Sequence, residues 1–311
     1  MNGALFLAAV AAVLGPGEVV LVELATPSVR ARVPLSEPGA AVFAAPDGAV
    51  IVPLTHTDAT AVVRVDGRVK VEQGRLFPLF FDEFDRMFVV MPEQLALLAY
   101  PQRVTIREIP LPGVSAIRHA AVTSDGLAVA LVGAAPESPG AWVVVAGGEG
   151  RLVPVAVPCL AERVVLAPNG EWLAVGCAGG RLALAGIGGA GTEVMAAGGE
   201  IGAMAVDESG RELLLAVTQA DGRGALVRLR IRPGASPPAK ERWRQALPRP
   251  PRALAISGAT VLVLDERGLA VWDRGGRRLA GEVAIPGAIG LALLREAVGA
   301  MPESWGEPGP R

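Results

Sequence analysis

Residues that could perform acid–base or nucleophilic chemistry are few in this sequence and lie far apart. The only two histidines are His56, in a predicted loop, and His119, near a predicted inner strand, and 63 positions separate them. A catalytic triad needs a nucleophile and a carboxylate beside one histidine, and the sequence has no Gly-x-Ser-x-Gly motif. We therefore assign no catalytic residue and expect a protein that is not an enzyme. The alternative is a dispersed site to which several strands contribute, because such a site has no local motif.

The sequence predicts neither a metal site nor a cofactor. Cys159 and Cys177 fall within one repeat unit, and we interpret them as two small buried side chains. A disulfide between them is the alternative, which sequence alone does not decide. They do not form a Cys-x-x-Cys pair and both histidines are distant in sequence, so a zinc site is not expected. The glycine-rich stretches at 147–150 and 188–191 lack the Lys-Ser/Thr ending of a phosphate-binding loop.

A basic cluster is a candidate binding surface. Arg228, Arg230 and Arg232 alternate along one predicted strand and would project from one face. Further cations and one tryptophan follow at Lys240, Arg242, Trp243, Arg244, Arg249 and Arg252. The cluster fits a solvated strand edge, an acidic protein partner or nucleic acid, but the formal net charge of −2 does not favour nucleic acid. The partner-binding residues that we predict here are Arg228, Arg230, Arg242, Trp243 and Arg244.

A phenylalanine cluster is the second candidate surface. Five of the seven phenylalanines lie within one repeat unit, at Phe77, Phe80, Phe81, Phe84 and Phe88. They are interleaved with Asp82, Glu83 and Asp85. Large aromatic side chains can fill the interior of a unit that lacks a good turn. Alternatively, those that are exposed anchor a protein partner, and we predict Phe80, Phe81 and Phe84 for that role.

A repeat of about 40 residues must position these side chains. Asp-Gly-like turns recur at Pro46-Asp47-Gly48, Ser124-Asp125-Gly126, Pro168-Asn169-Gly170 and Glu208-Ser209-Gly210, with a weaker turn at Phe84-Asp85-Arg86. The steps between the central residues, from Asp85 onwards, are 40, 44 and 40 residues. Each unit has four apolar or alternating strands and no helical pattern, which predicts an all-β fold, a β-propeller with one unit per blade. We count seven blades; six or eight would need a misread unit.

The last predicted blade is incomplete without the N-terminal segment. After Ala288–Leu294, two further strands are missing, and Leu5–Val10 and Val19–Leu24 can supply them. We therefore expect the ring to close by pairing the two ends of the chain, which removes two exposed sheet edges. On this interpretation residues 1–300 form a single propeller domain and residues 301–311 a polar tail.

Composition limits the protein class and the compartment. Hydrophobic residues make up 51% of the chain and charged residues 19%, which allows a large buried core and excludes a disordered chain. The excess of Arg over Lys, with many Ala, Gly and Pro residues, is typical of a GC-rich bacterial genome. Ala4–Leu14 is apolar enough for a signal peptide but has no preceding basic residue. We expect a cytoplasmic protein without a transmembrane segment; a periplasmic or secreted protein is the alternative if residues 4–14 are cleaved.

Several short motifs resemble those of a known propeller family. Val271-Trp272-Asp273 at the end of a strand is similar to the Trp-Asp signature of WD-repeat propellers. Ala44-Ala45-Pro46-Asp47-Gly48 and Leu166-Ala167-Pro168-Asn169-Gly170 resemble the Ser-Pro-Asp-Gly turn of that family and of YVTN-type bacterial propellers. The resemblance implies the propeller fold and a scaffold role in a bacterial multiprotein assembly. It carries over no functional residue, since the family's Gly-His pair is absent. The alternative is a lactonase-like or dehydrogenase-like propeller enzyme acting on a small molecule at the central channel.

Overall fold

The computed structural model describes most of the chain as β-strands. The described residues are 10–76, 78–81, 86–91, 94–111, 115–123, 128–134, 140–145, 151–187, 192–232, 239–258, 260–273 and 279–294. None of these residues is helical, so this part of the chain contains no helix with the length and apolarity that a membrane crossing requires.

The strands follow one another through the whole described chain. The first fourteen are β1 (Val10–Leu14), β2 (Glu18–Glu23), β3 (Ser28–Pro34), β4 (Phe43–Ala44), β5 (Val50–Pro53), β6 (Ala59–Val63), β7 (Val69–Gln73), β8 (Pro78–Phe81), β9 (Arg86–Met91), β10 (Gln94–Ala99), β11 (Val104–Pro110), β12 (Ser115–Val122), β13 (Ala128–Ala134) and β14 (Gly140–Val145). The remainder are β15 (Arg151–Val155), β16 (Ala161–Leu166), β17 (Trp172–Cys177), β18 (Arg181–Gly186), β19 (Glu193–Ala196), β20 (Glu200–Val206), β21 (Glu212–Thr218), β22 (Gly224–Ile231), β23 (Ala239–Leu247), β24 (Ala253–Ser257), β25 (Thr260–Leu264), β26 (Gly268–Asp273), β27 (Leu279–Ala284) and β28 (Gly290–Leu294).

These strands pair into seven four-stranded antiparallel sheets, which we call blades 1 to 7. Blades 1 to 6 are β4–β7, β8–β11, β12–β15, β16–β19, β20–β23 and β24–β27, and blade 7 is β28-β1-β2-β3. In six of the seven neighbouring pairs of blades the first strands contact each other: β12 contacts β8 and β16, β20 contacts β16 and β24, and β28 contacts β24 and β4. The first strands therefore surround a central axis, and the prediction of an all-β propeller is confirmed.

Burial along the strands explains why this sequence forms stacked blades. The second and third strands of a blade are mainly apolar, and every residue of β17 and of β5 is buried. A strand with buried side chains on both faces needs a neighbour on each side, which the adjacent blades provide. Outer strands such as β11 instead expose most of their residues, including Val104 at 62% exposure. Their sequences alternate apolar and charged residues, as predicted for half-exposed strands.

The predicted turns are confirmed where the structure describes them. Gly48, Gly170 and Gly210 have φ angles of 75°, 69° and 65°, a region that residues with a side chain rarely adopt. Each glycine N–H donates to the carbonyl oxygen three residues earlier, at 2.8–3.1 Å. Residues 124–127, which contain another predicted turn, lie outside the described residues.

The ring is closed by pairing of β1 with β28. Val13 lies opposite Leu291 in this pair and opposite Val20 in the next. The predicted strand over Leu5–Val10 is misplaced, because the strand that pairs with β28 begins at Val10 and ends at Leu14. Residues 5–9 lie outside the described residues. The predicted strand and the observed strand belong to the same apolar run. This run has no internal turn that would fix, from sequence alone, which of its residues pair with β28.

Each predicted repeat unit is offset by one strand from a blade. In the sequence, the unit that contains the turn Pro46-Asp47-Gly48 begins with the alternating segment Val29–Leu35, but β3 (Ser28–Pro34) pairs with β2 and belongs to blade 7. The outer strand of one blade is followed in sequence by the inner strand of the next, so a sequence unit spans two blades and links them.

The expectation of two separate cysteine side chains is wrong, since Cys159 and Cys177 form a disulfide. Cys159 precedes β16 and Cys177 ends β17 in the same blade, where Ala161 lies opposite Cys177. Their Cα atoms are 5.9 Å apart, within the usual range for a disulfide. The bond ties the connection that enters blade 4 to the second strand of that blade.

Candidate functional site

A cleft of about 320 Å³ lies between blades 4 and 5, on the face that carries their first hairpin turns. Its walls come from the turn that precedes β17, the turn that precedes β21 and the end of β22. The polar residues that line it are Asn169, Glu171, Ser209, Arg211, Arg230 and Arg232. The cleft thus joins two turns found by sequence analysis to part of the basic cluster.

A buried carboxylate holds the turn of blade 5 in shape. Asp207 is only 3% exposed. Its carboxylate accepts hydrogen bonds from the backbone N–H groups of Arg211 and Glu212, at 3.0 and 2.8 Å, and from the hydroxyl of Ser209 at 2.5 Å. Three donors to one carboxylate form a rigid turn. The backbone that carries Arg211 is therefore fixed before any ligand arrives.

Contacts between blades fix the two walls relative to each other. The buried indole Nε1–H of Trp172 donates to the carbonyl oxygen of Gly210 at 2.9 Å. The two turns approach so closely that a Cβ atom on Gly210 would lie 3.4 Å from Oδ1 of Asn169. On the third wall, the backbone N–H of Ile231 donates to the carbonyl oxygen of Arg211 at 2.8 Å.

Three arginines give the cleft a positive charge. Arg211, Arg230 and Arg232 are exposed, and their guanidinium groups have no ion pair and no hydrogen bond in the described part of the chain. Glu171, also exposed, is the only carboxylate among the lining residues. Three guanidinium groups and one carboxylate leave a formal charge of +2. Such a site attracts anions with several oxygen acceptors.

The structure does not bring Arg228 to the same surface as Arg230. The Arg228 side chain is 15% exposed and pairs with the carboxylate of Glu212. Between Arg228 and Leu229 the pairing of β22 with β23 shifts register, so the regular alternation of side chains is interrupted there. Arg228 therefore contributes to packing within blade 5, whereas Arg230 and Arg232 reach the cleft.

The other predicted partner-binding residues of the basic cluster are Arg242, Trp243 and Arg244, and they lie on β23, the outermost strand of blade 5. Arg242 is exposed, with no carboxylate partner in the described residues. Arg244 pairs with Glu241 at 3.0 Å and donates to the carbonyl oxygen of Ala197 at 3.1 Å. Trp243 packs on the core between blades 5 and 6. Of these residues, Arg242 is the most available to a partner, and the role of all of them stays a prediction.

The structure places the phenylalanines of the cluster that it describes on two neighbouring strands of blade 2. Phe80 and Phe81 lie on β8, the innermost strand of blade 2, opposite Phe88 and Met87 of β9. Phe88 is 1% exposed and is a core residue. Phe84 lies outside the described residues. The partner-binding role of Phe80, Phe81 and Phe84 stays a prediction.

The innermost strands hold few ionisable side chains. His119 on β12 is partly buried, and its Nδ1 accepts a weak hydrogen bond from the N–H of Val164 at 3.5 Å. Burial, with a smaller contribution from the nearby Arg163 charge, lowers the pKa of His119 to about 4. Arg163 itself donates from Nε to the carbonyl oxygen of Ile201 at 3.2 Å. Both side chains thus contact the backbone of a neighbouring blade.

The described residues contain no group of three or more His, Cys, Asp and Glu side chains that could hold a metal ion. His56, the other histidine, is exposed in a loop, where its backbone N–H donates to the carboxylate of Glu37 at 3.0 Å. His56 and His119 lie in different blades, as the sequence indicated.

Sequence analysis missed Asn169, Ser209 and Arg211 as potential binding residues. Asn169 and Ser209 were identified only as turn residues, and Arg211 directly follows the glycine of its turn. The repeat itself could have indicated these residues, since the equivalent turns of neighbouring blades lie on one face of a propeller. A polar residue at a turn in one unit therefore lies near the same position of the next unit.

Comparison with known proteins shows the fold and no family. No family model matches the chain, and no curated protein sequence matches it significantly. A solved structure of hydrazine synthase from Kuenenia stuttgartiensis is 14% identical, with a TM-score of 0.67 over 88% of this chain and 97% of that one. A Bacteroides uniformis protein with the provisional name 6-phosphogluconolactonase is 10% identical, with a TM-score of 0.64 over 91% and 98%.

A third solved structure concerns the predicted family. The β-propeller domain of Cps50 (Swd1) from Myceliophteria thermophila is 15% identical, with a TM-score of 0.60 over 80% of this chain and 87% of that one. At this level of identity the likeness supports the propeller fold alone. Membership of the WD-repeat or YVTN-type family stays a prediction.

Proposed function

We propose that this protein is a non-enzymatic binding platform, a propeller subunit of a bacterial multiprotein assembly. One observation carries the proposal: the innermost strands of blades 6 and 7, and that of blade 5 after Glu200, contain no ionisable side chain. Propeller enzymes collect catalytic or metal-binding groups around the axis, and such groups must be polar. The apolar inner strands of these three blades support a structural role for their side of the channel, with binding at the outer surface.

We assign the contact with an acidic partner protein to β23. Lys240 and Arg242 are exposed on this strand, and neither has a carboxylate partner in the described residues. The strand is the outermost of its blade, so one edge of its backbone is not paired within the sheet. Cationic side chains beside a free strand edge suit an acidic segment that adds to the sheet. Half-buried Trp243 contributes apolar surface next to them.

The test is affinity capture of the tagged full chain from cells of its source organism, with quantitative mass spectrometry of co-purified proteins. We expect one partner in stoichiometric amount, retained by the wild type and lost from Arg242→Glu. Arg267→Glu is the matched control, since Arg267 is exposed in a turn of blade 6, outside the proposed surface. Recovery of the wild-type protein without a partner, or equal capture by Arg242→Glu and Arg267→Glu, contradicts the proposal.

A second candidate function is small-molecule chemistry at the central channel. His119 favours it, because this histidine lies on an innermost strand and its pKa, lowered to about 4 by burial, leaves the imidazole neutral at pH 7. The fold is shared with a protein provisionally named 6-phosphogluconolactonase, so hydrolysis of 6-phosphogluconolactone is the first activity to assay. Activity that His119→Gln abolishes and His56→Gln retains would replace the platform proposal with this one.

The disulfide supports a location in an oxidising compartment. Disulfides persist in the periplasm and outside the cell and are rare in the bacterial cytosol. We therefore propose a periplasmic or secreted protein in place of the expected cytoplasmic one. Val10–Leu14 forms β1 within the closed ring, so a signal peptide that ended at Leu14 would remove that strand.

A further inference from the structure

We propose that the cleft between blades 4 and 5 binds the phosphoryl group of a small phosphorylated molecule. The inference is independent of the proposed function, because the cleft does not include the β23 surface assigned to a partner protein. It rests on Arg211, Arg230 and Arg232, which face one cavity, and on their lack of partners in the described chain.

These arginines are distinguished by their grouping, since three guanidinium groups without an ion pair in the described chain line one cavity. Arg249 is paired with Asp265 at 2.9 Å, and Arg64 with Asp47 at 2.8 Å. Three like charges around one cleft repel each other, and folding alone gains nothing from that arrangement. A bound anion would remove the repulsion. The charge pattern therefore indicates a ligand that is itself negative.

The hydrogen-bond donors favour a phosphoryl group over a carboxylate. Each guanidinium group presents several N–H donors in a planar fork. Asn169 adds its amide NH₂ group, since its Oδ1 already accepts the backbone N–H of Glu171 at 3.3 Å. Ser209 adds no donor, because its hydroxyl is used by Asp207. Three cations and an amide suit an acceptor with three terminal oxygens, and the formal charge of +2 matches a dianion.

The size of the cleft indicates that the ligand is larger than the phosphoryl group. A volume of about 320 Å³ is at the lower end of the range for small-molecule sites. Asp207 and Trp172 hold the walls by the buried hydrogen bonds described above, so binding needs no large rearrangement. A fixed set of donors binds more tightly because less conformational entropy is lost.

Glu171 allows a test in which two kinds of substitution change the affinity for an anion in opposite directions. Its carboxylate lines the same cleft and opposes a bound anion. Removing an arginine must therefore weaken binding, whereas neutralising Glu171 must strengthen it. A variant that simply disturbed the fold would weaken binding in both cases.

The experiment is calorimetric titration of the full chain with inorganic phosphate and, separately, with glycerol 3-phosphate. We expect Arg211→Gln, Arg230→Gln and Arg232→Gln each to weaken binding about tenfold. We expect Glu171→Gln to tighten it, and Arg267→Gln on blade 6 to leave it unchanged. Because all five side chains are exposed, their melting temperatures should stay close to that of the wild type.

The two probes distinguish the source of the phosphoryl group. Tighter binding of glycerol 3-phosphate supports a phosphorylated molecule, as proposed. Equal binding of both probes shows a site for the free ion and overturns the assignment to a larger ligand. No binding of either probe, or equal loss in Arg267→Gln and the cleft variants, overturns the site itself.

Discussion

The buried indole of Trp172 in blade 4 donates its Nε1–H to the carbonyl oxygen of Gly210 in blade 5 over 2.9 Å. This hydrogen bond spans 38 positions of sequence, about one repeat. It joins two blades at the base of the candidate cleft, and a buried carbonyl oxygen that loses its donor is costly. Stability and cleft geometry are therefore linked at this point.

Replacing Trp172 with Phe should destabilise the protein by about 1–2 kcal/mol, because the carbonyl oxygen of Gly210 loses a buried hydrogen bond. Urea denaturation followed by circular dichroism measures the change. Trp272→Phe is the matched control: its indole nitrogen is buried without a hydrogen-bond partner in the described residues. An equal loss in both variants would show that ring size, and not the hydrogen bond, matters.

Closure of the ring predicts a large effect of a charge in β1. Val13 is fully buried between β28 and β2, so Val13→Asp would bury an unpaired carboxylate and should cost about 3 kcal/mol or more. Val104→Asp is the control, because Val104 is 62% exposed on the outer strand β11 and should change stability by about 0.5 kcal/mol or less. Thermal melting compares the two. Similar melting temperatures for both variants would contradict the pairing of β1 with β28.

The lowered pKa of His119 predicts a loss of stability at acid pH. The unfolded chain takes up a proton near pH 6.5, whereas the folded protein does so only near pH 4. Between these values the unfolded state binds more protons, so stability falls as the pH falls, by up to about 3 kcal/mol in total. Urea denaturation at pH 7 and pH 4.5 measures the difference.

His119→Gln cannot titrate and should show a weaker dependence on pH over this range. His56→Gln, the control, alters an exposed histidine and should retain the wild-type dependence. If His119→Gln and wild type lost the same stability between pH 7 and pH 4.5, His119 would not be the group responsible.

Reduction of the Cys159–Cys177 disulfide should destabilise blade 4. The bond closes a loop between residues 18 positions apart, for which loop-closure entropy gives about 3 kcal/mol. We expect a lower melting temperature in reductant for the wild type, and no effect of reductant on the double variant Cys159→Ser, Cys177→Ser. Maleimide labelling of the unreduced, denatured protein should find no free thiol. Two labelled thiols would contradict the disulfide.

The arginines of β22 show where inference from sequence ended. Their alternate spacing predicted that Arg228 and Arg230 share one exposed face. In the structure Arg228 is mostly buried beside Glu212, whereas Arg230 lines the cleft with Arg211 of the preceding turn. Spacing along a strand determines which side chains alternate, but burial depends on the neighbouring blade and on the irregularity after Arg228.

The sequence by itself determined the strands, the tight turns, the repeating unit and the closure of the ring by its two ends. The strands, turns and repeating unit depend on local rules: alternation of apolar residues, and glycines at turns that require positive φ. The closure follows from the repeat, because the last unit lacks two strands that the N-terminal segment can supply. Only the tertiary structure decided that Cys159 bonds to Cys177 and that β1 begins at Val10. It also decided that Asn169, Arg211 and Arg230 meet in one cleft. Those results depend on contacts between residues about 20 to 60 positions apart or on the register of β1 against β28. No short stretch of sequence encodes the distance between two blades.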